Sequence, residues 1–432
     1  MTDRPQRHFR VLVFPGGTEI GLEINCALRD CKEVQLFSAG LGIPNHAPYV
    51  YAQHFELPRI EAPGWLEALN DLVSRLSIRY VFPAYDDVLV ALAGNSERIN
   101  AKIVTSPLET CIVTRSKGQT YRRLRDVVPV PKVYEMLDSV DRYPVFVKPD
   151  SGQGSQNTHL AHDRCELALT LRQVPKPLIL EYVPGDEYTI DCFSDREQGI
   201  LFCGARLRER VRSGISVGTS PVASGEFEGY ARAISSVLEF HGAWFFQMKR
   251  DEQGSLKLLE IAPRIAGAMA LHRAMGVNFP LLSIYEQERL PIRVMTNALQ
   301  ISLDRALVNR YRHNLHYDVV YVDLDDTLIV RGRVNPRLIA FLYQCINNHK
   351  RLVLLTRHAE NTEQTLRSHR LLGVFDQVVC VPPRPACKSE FVTESNAILI
   401  DDSFSERCAI STKLGIPTFD CSMLEMLLDH RA

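Results

Sequence analysis

The amino-acid sequence predicts a multidomain protein that combines α/β and α+β folds. Its 432 residues exceed what one ordinary hydrophobic core holds, so we expect roughly two to four domains. The chain opens with a strand–helix–strand pattern, changes near residue 111 to short strands with glycine-rich turns, and returns at Val319 to apolar strands that end in acidic residues. These patterns predict a parallel-sheet domain, then an α+β domain, then a second parallel-sheet domain.

The composition excludes several classes of protein. Apolar runs such as Leu352–Leu355 are far too short to span a bilayer, so we expect no membrane partner. The polar segment Met1–Arg10 lacks the apolar stretch of a signal peptide, which predicts a cytoplasmic protein. With 50 basic and 51 acidic residues the formal charge is -1, so nucleic acid is not expected as a partner.

The first predicted domain covers residues 8–110. A strand at Arg10–Phe14, a glycine turn and a helix lead to a second strand at Val34–Ser38, which is the order of a strand–helix–strand unit. Such units build parallel sheets, and open parallel sheets bind ligands beyond the carboxyl ends of their strands.

Polar groups in this domain offer two candidate substrate sites. Glu19 lies in the glycine-rich segment that opens the first helix, where N–H groups could hold an anion; a tight structural turn is the alternative. Asp86 and Asp87 follow a strand at Tyr80–Ala84 and could bind an ammonium group of a substrate; helix capping is the alternative.

Two lysines and a glycine-rich loop indicate a polyphosphate site in the second domain. Lys117 and Lys148 precede the segment Ser151–Gln156, which contains Gly152 and Gly154. Glycines let backbone N–H groups approach phosphate oxygens, and a lysine at a strand end supplies a fixed positive charge. A plain turn is the alternative for the loop taken alone.

The order of the motifs that follow carries a family resemblance. After the loop come Leu180–Asp191, Phe246–Met248 and Leu259–Arg264. Over about Val11 to Tyr285 this series resembles the ATP-grasp superfamily, especially the carbamoyl phosphate synthase large chain and related carboxylate–amine ligases. The resemblance implies a domain preceding the ATP-grasp domain at 8–110 and an ATP-grasp domain at 111–300, with a mobile lid at about 130–190.

The resemblance also implies a cofactor site for ATP and Mg²⁺, with Mn²⁺ as an alternative ion. Lys117 and Lys148 would contact phosphates, and Glu187 would hold the ribose hydroxyls. Gln247 and Glu260 would bind the metal through oxygen atoms. The residues expected to contact ATP are Lys117, Lys148, Ser151, Gly152, Gly154, Ser155, Glu181, Val183 and Glu187.

One position departs from the family pattern. Many relatives have Asn two residues after the metal-binding glutamate, where this chain has Ala262, although some nucleotide-biosynthesis carboxylases of the superfamily share the sequence Glu-Ile-Ala-Pro-Arg. Loss of catalysis in an ATP-binding domain is the alternative to a tolerated change.

Arginines are the candidates for binding the acid that accepts the phosphoryl group. Arg264 directly follows the metal-binding strand and is expected to stabilise migrating negative charge during catalysis. Arg206 and Arg210 belong to a strand with arginine at every second position, which predicts one charged face. The solvated side of an edge strand is the alternative.

A second set of motifs follows a predicted linker helix at 301–316. Asp323 and Asp325 end an apolar strand, Thr356 ends another, and Lys388 and Asp401 lie farther along. The set resembles the haloacid dehalogenase superfamily across 317–432, which implies a Rossmann-like phosphatase domain. The segment between Asp323 and Thr356 is too short for a large cap.

The phosphatase resemblance assigns a role to each residue. Asp323 would be the nucleophile and Asp325 the general acid and base. Thr356 and Lys388 would hold phosphoryl oxygens. Magnesium would be bound by carboxylates from the set Asp323, Asp325, Asp401 and Asp402.

The sequence therefore predicts a bifunctional enzyme, a carboxylate–amine ligase fused to a phosphatase. Its expected partners are a small carboxylate, an amine and a phosphorylated substrate, and a homodimer is left open. The alternatives are a phosphatase regulated by an inactive ATP-grasp region and a nucleotide-sensing protein without catalysis.

Overall fold

A computed structural model describes residues 9–431 except 153, 155, 359, 360 and 384. The chain forms two compact units that divide between Leu307 and Val308. Among the described residues no helix is both long and apolar enough to cross a membrane.

The first unit opens with a five-stranded parallel sheet in the order β3-β2-β1-β4-β5. Its strands are β1 (Phe9–Phe14), β2 (Val34–Gly40), β3 (His54–Glu56), β4 (Tyr80–Pro83) and β5 (Lys102–Ile103). Its helices are α1 (Glu19–Leu28), α2 (Trp65–Arg75), α3 (Asp86–Gly94) and α4 (Leu108–Arg115). The central strand β1 is buried on both sides: Val11 and Val13 join one apolar cluster, and Leu12 and Phe14 join another.

The start of α1 is fixed to the end of β4. The Thr18 hydroxyl accepts a hydrogen bond from the N–H of Gly21 at 3.0 Å and donates one to the carbonyl of Ala84 at 2.8 Å. A Cβ atom on Gly21 would lie 2.6 Å from the carbonyl oxygen of Gly16, so only glycine fits there. Glu19, the first residue of α1, is thereby held at the carboxyl edge of the sheet.

The segment predicted as a lid folds as a small antiparallel sheet in the order β6-β9-β7-β8. After α5 (Lys117–Leu124), its strands are β6 (Val133–Tyr134), β7 (Val145–Pro149), β8 (His159–Ala161) and β9 (Pro177–Glu181), with α6 (Arg164–Gln173) between the last two. Val145, Val147 and Leu167 form its core and are fully buried.

A larger antiparallel sheet has the order β14-β13-β10-β11-β12-β15. Its strands are β10 (Glu187–Asp195), β11 (Gly199–Arg212), β12 (Ile215–Pro221), β13 (Gly242–Arg250), β14 (Leu256–Ala262) and β15 (Leu303–Asp304). The helices of this region are α7 (Gly225–Ser235), α8 (Ala270–Ala274) and α9 (Phe279–Gln287). Trp244 and Phe246 of β13 are fully buried between these layers.

The helix predicted over 301–316 does not form. Leu303 and Asp304 pair instead with Thr219 and Gly218 of β12, and the N–H of Arg305 donates to the carbonyl of Val217 at 2.7 Å. The open edge of β12 supplies hydrogen-bond partners that an isolated short helix lacks, so the segment adds a strand. Residues 305–316 belong to neither helix nor strand.

The second unit contains a five-stranded parallel sheet in the order β20-β19-β16-β21-β22. In chain order its strands are β16 (Val319–Val322), β17 (Ile329–Val330), β18 (Arg333–Val334), β19 (Arg351–Thr356), β20 (Gln377–Cys380), β21 (Ala397–Ile400) and β22 (Thr418–Phe419), of which β17 and β18 form a separate hairpin. Its helices are α10 (Pro336–Asn347), α11 (Thr362–Ser368), α12 (Phe404–Leu414) and α13 (Leu424–Leu427). Between Asp323 and Thr356 the chain therefore forms only the hairpin and α10 besides the sheet strand.

Candidate functional site

A cavity in the first unit collects most of the residues expected to bind ATP. The expected residues that line it are Lys117, Lys148, Gly152, Gly154, Glu181, Val183, Glu187, Gln247 and Glu260. Lys148 and Glu181 belong to the small sheet, and Glu187, Gln247 and Glu260 belong to the large sheet, so the cavity lies between the two sheets. Ser151 is exposed next to it, and Ser155 lies outside the described residues.

The two lysines of this cavity are buried and are not in salt-bridge contact with a carboxylate of the described residues, although the charge of Glu260 acts on both. The Lys148 Nζ donates to the Tyr121 hydroxyl at 2.8 Å and to the carbonyl of Leu259 at 3.3 Å, and the Lys117 Nζ donates to the carbonyl of Gly152 at 2.9 Å. Burial lowers the pKa of Lys148 to about 8 and also lowers the pKa of Lys117. Neither forms a salt bridge with the described residues, so phosphate oxygens would complete their environment.

Gln247 and Glu260 lie directly opposite each other on β13 and β14. Their side chains line both the ATP cavity and the cavity described next. Amide and carboxylate oxygens are suitable ligands for Mg²⁺. Beside them, the Glu181 Oε1 is buried without a hydrogen bond, although Lys257 Nζ lies 3.5 Å away. The donor set fits a magnesium ion, and the Glu181 oxygen could accept from an amino group of the adenine.

A second cavity of about 590 Å³ adjoins the ATP cavity and shares its Gln247 and Glu260 wall. It is lined by four of the residues expected to contact the acceptor, which are Glu19, Asp86, Arg206 and Arg264. The structure therefore brings together side chains from the parallel-sheet domain and from the large antiparallel sheet.

Arg264 and Asp86, which both line this cavity, form a partly buried ion pair. The Arg264 Nη2 donates to the Asp86 Oδ2 at 3.1 Å, and the Nε donates to Oδ1. Burial alone would raise the pKa of Asp86, but the Arg264 guanidinium more than offsets this and holds that pKa below its usual value. Asp86 therefore orients the arginine, and its expected contact with an ammonium group stays a prediction.

Arg206 is fixed by a buried trio of side chains. Its Nε and Nη2 donate to Asp191 at 2.8 and 3.2 Å, and the His272 Nδ1 lies 2.9 Å from the same carboxylate. The neighbouring Arg208 lines both cavities, and its Nε lies 2.9 Å from the Glu187 Oε1. The expected ribose-binding carboxylate therefore has a cationic partner in this structure.

Arg210 and Asp87 lie outside both cavities. The pairing of β11 with β12 is irregular on both sides of Arg210, which ends the strict alternation predicted for this strand. Arg210 is 59% exposed and donates to Asp304 at 2.7 Å. Asp87 is half exposed in the first turn of α3 and pairs with Arg115, and no side chain of the described residues caps this helix by a hydrogen bond.

The second unit gathers its predicted residues at one edge of the parallel sheet. Asp323 follows β16, Thr356 ends β19, and Asp401 follows β21, and β16 pairs with both neighbours at Val322. The Lys388 Nζ lies 2.8 Å from the Asp323 Oδ1 and 2.6 Å from the Asp401 Oδ2. Lys388 begins one turn of 3-10 helix and is almost fully buried.

The carboxylates of this edge fit a divalent cation. One oxygen of each of Asp323, Asp401 and Asp402 lies within 4.8 Å of the others. Burial raises the pKa of Asp323 to about 6, with the Asp401 charge adding to the effect and Lys388 opposing it. Crowded buried carboxylates of this kind are favoured by a bound cation. Asp325 is not a member of this group.

Asp325 instead contacts a histidine that the sequence interpretation missed. The His358 Nδ1 lies 2.9 Å from the Asp325 carboxylate, and its Nε2 lies 2.8 Å from the Thr365 hydroxyl of α11. The His358 N–H donates to the Thr356 Oγ1 at 3.1 Å. Its position two residues after Thr356 is the signal that could have indicated a role.

Comparison with protein families and sequences finds relatives for part of the chain. Residues 173–303 match a family described as ATP-grasp in the biosynthetic pathway with Ter operon. A D-alanine–D-alanine ligase from Fusobacterium nucleatum subsp. nucleatum is 25% identical over 123 residues, which are 26% of this chain and 43% of that protein. The chain thus spans less than half the length of this relative.

Solved structures share the fold. N5-carboxyaminoimidazole synthetase from Staphylococcus aureus, complexed with ADP, has a TM-score of 0.57 at 15% identity and covers 68% of this chain and 82% of its own. The biotin carboxylase domain dimer of Hydrogenobacter thermophilus 2-oxoglutarate carboxylase was solved in complex with MgADP, ADP and bicarbonate. Its TM-score is 0.56 at 14% identity, and the match covers 67% of this chain and 71% of that chain. An L-amino acid ligase from Bacillus licheniformis has a TM-score of 0.52 at 18% identity, and the match covers 66% of this chain and 75% of that chain. These likenesses confirm the predicted ATP-grasp-like α/β fold with a parallel-sheet domain.

Proposed function

We propose that the first unit is an ATP-dependent carboxylate–amine ligase and that the second unit is a magnesium-dependent phosphomonoesterase. The observation that carries the ligase assignment is the pair of buried lysines without a salt bridge among the described residues, which lie beside Gln247 and Glu260 at the boundary with an arginine-lined cavity. The match to an ATP-grasp family and the likeness to ligase structures support it.

In the ligase reaction the chain's own residues would position two reactants. Lys117 and Lys148 hold phosphate oxygens of ATP, and Gln247 and Glu260 would hold magnesium, which would neutralise phosphate charge when bound. An acid in the second cavity attacks the γ-phosphorus through a carboxylate oxygen and releases ADP. Arg264, kept in place by Asp86, stabilises the negative charge that develops. An amine then attacks the acyl phosphate and releases phosphate.

In the phosphatase reaction Asp323 would attack phosphorus while Asp325 gives a proton to the leaving oxygen. The aspartyl phosphate is then attacked by water, whose proton Asp325 accepts. Lys388 and Thr356 hold phosphoryl oxygens, and Asp323, Asp401 and Asp402 would hold magnesium, which would offset the charge of the phosphoryl group. The observation that carries this assignment is the Lys388 ammonium between Asp323 and Asp401.

A second candidate is a phosphatase regulated by an ATP-grasp region that binds nucleotide without turnover. Ala262 favours it, because its side chain offers no oxygen to a metal and packs into an apolar cluster. Glu260 and Gln247 remain as the oxygen donors of that wall.

The test is ADP formation by the full chain with ATP, magnesium and a panel of acids and amines. The Asp323→Asn variant is used beside the wild type, so that hydrolysis by the second unit does not consume a phosphorylated product. The expected result is ADP release that depends on one class of acid, with a product whose mass equals acid plus amine minus water. Nucleotide binding without acid-dependent ADP release would support the regulated phosphatase.

A further inference from the structure

Two arginine nitrogens in the second cavity have no acceptor. Arg206 Nη1 and Arg305 Nη1 are both buried, and neither donates a hydrogen bond to any atom of the described residues. Both side chains line the second cavity and neither lines the ATP cavity. A buried cationic donor without an acceptor is unfavourable, so a ligand is expected to supply one.

The Arg206 guanidinium cannot turn away to find another partner. Its other two nitrogens are bound by Asp191, which is fully buried and also contacts His272. The side chain of Arg206 is 2% exposed. The Nη1 without an acceptor is therefore held in a fixed position, in a side chain that lines the cavity.

Arg305 reaches the same cavity from the segment that follows β15. Its backbone is fixed by the hydrogen bond to Val217, and a Cβ atom added to Gly267 would lie 3.1 Å from its Nη1. Within residues 9–431, apart from the five undescribed positions, Arg305 forms no salt bridge. Arg264, in contrast, is already paired with Asp86.

We propose that the acid activated by the first unit carries a second anionic group, a carboxylate or a phosphate, which Arg206 and Arg305 bind. This inference rests on the proposed ligase function and names its substrate class. The reacting carboxylate must lie at the wall shared with the ATP cavity, next to Gln247 and Glu260. Arg206 and Arg305 line only the second cavity, so they are suited to a group at the other end of the substrate.

The competing explanation is a protein carboxylate. Glu19 lines the cavity and forms no salt bridge with the described residues, and its Cγ would lie 3.2 Å from a Cβ on Gly267. If Glu19 pairs with Arg305 in solution, the cavity would lose one of its two arginine nitrogens without an acceptor. The experiment must therefore ask whether a substrate anion depends on Arg305.

Calorimetric titration of the full chain, saturated with a non-hydrolysable ATP analogue and magnesium, provides the test. The ligands are matched pairs: glutamate against glutamine, aspartate against asparagine, and phosphoserine against serine. Members of a pair differ mainly in the second anion, and the phosphoserine arm separates a phosphorylated acid from a dicarboxylic acid. We expect at least one anionic member to bind about tenfold or more tightly than its neutral partner.

Two variants assign that preference to the site. Arg305→Met should reduce it to within about threefold, and Arg305→Lys should retain part of it, because a point charge remains without the guanidinium fork. Arg232→Met is the control, because Arg232 is an exposed arginine of α7 paired within its own helix. Thermal melting checks that each variant folds.

Equal binding within every pair, absence of binding by every anionic member, or an unchanged preference in Arg305→Met would each refute the proposal. The wild-type comparison needs no variant and therefore holds even if a variant fails to fold. ADP formation without any preference for a second anion would leave the ligase assignment standing and remove this inference. An Arg305-dependent preference without ADP formation would leave the binding of a second anion standing and would remove the ligase assignment.

Discussion

The two candidate sites differ in how their charges are balanced. In the second unit the Lys388 ammonium already contacts both Asp323 and Asp401, so the cation of this site is paired within the protein. In the first unit Lys117 and Lys148 form no salt bridge with described residues, and Arg206 and Arg305 each keep a free buried nitrogen.

This difference indicates two ways to prepare a site for phosphoryl transfer. A balanced cluster is rigid before its substrate binds, which suits attack by an enzyme side chain on a single phosphoryl group. An unbalanced cluster stays incomplete until polyanionic ligands arrive, which suits a reaction that joins several substrates in one place. If the two sites are separate, a substitution confined to one site should leave the activity of the other intact.

The largest effect is expected from Asp323→Asn. The amide keeps the shape of the side chain but cannot form an aspartyl phosphate, so hydrolysis of a generic phosphate ester should fall by on the order of 10³-fold or more. Acid-dependent ADP formation should persist, because the first unit has its own core. Steady-state assays of both activities on one preparation measure this.

Asp326→Asn is the matched control for that change. Asp326 is exposed at a positive φ of 56°, where asparagine is well tolerated, and its substitution should leave both activities near wild type. If Asp325→Asn abolishes hydrolysis and Asp323→Asn does not, the nucleophile has been assigned to the wrong carboxylate.

A reciprocal loss is expected from Glu260→Gln. Removing the only carboxylate of the Gln247–Glu260 pair weakens magnesium binding, so ADP formation should fall by roughly 10²-fold while phosphatase activity is kept. Lys148→Ala should also remove ADP formation, because it deletes a phosphate-binding cation.

Glu252→Gln is the control, since Glu252 is half exposed and pairs with Arg142 on the surface. Wild-type ADP formation by Glu260→Gln at low magnesium would contradict the metal assignment.

A smaller effect is expected from His358→Ala. His358 links Asp325 to α11 and acts as a positioning residue, so its loss should lower kcat for phosphate-ester hydrolysis by about tenfold and leave KM nearly unchanged. His358→Asn, which can still donate to Asp325, should recover part of the rate. Equal losses in both variants together with a lower melting temperature would indicate a purely structural role.

The smallest effect concerns pH and the unbalanced lysine. Because burial lowers the pKa of Lys148 to about 8, the side chain loses charge as pH rises through that value, and ATP affinity should fall a few-fold between about pH 7 and about pH 9. The contribution of Lys148 to the free energy of unfolding changes in the opposite direction to ATP affinity. Above about pH 8 the folded protein has lost this proton while the unfolded chain still binds it up to the ordinary lysine pKa, so this contribution rises with pH.

Comparison with Lys148→Met separates this group from others that titrate in the same range. Nucleotide titrations and thermal melts of both proteins across that pH range are the measurements. If the difference in melting temperature between them does not change with pH, Lys148 is not the unbalanced group described here.

The grouping of side chains in the second candidate site could be predicted from the sequence because it follows from local order. Asp323, Thr356 and Asp401 each stand at the end of a parallel strand, and the strands are neighbours in the sheet. Lys388 could be placed only through the family resemblance. His358 was missed because its contact with Asp325 depends on the path of the chain after β19.

The first site was predicted only in part. Lys148, Gln247 and Glu260 belong to motifs whose order is readable, and the structure places them in one cavity. The pairing of Arg264 with Asp86 and the arrival of Arg305 depend on packing between distant segments, which sequence periodicity does not contain. The irregular pairing around Arg210 is equally invisible to a simple alternation rule.

The short strand β15 determines where an expressed fragment of the first unit should end. A fragment cut at residue 300, where the sequence places the end of the ATP-grasp domain, would lack Leu303 and Asp304 and would leave the outer edge of β12 unpaired. Strand edges without a hydrogen-bonded partner pair with strands of other molecules, so such a fragment is expected to aggregate. It would also lack Arg305. An expression boundary at or after Leu307 keeps the edge covered and the cavity wall complete.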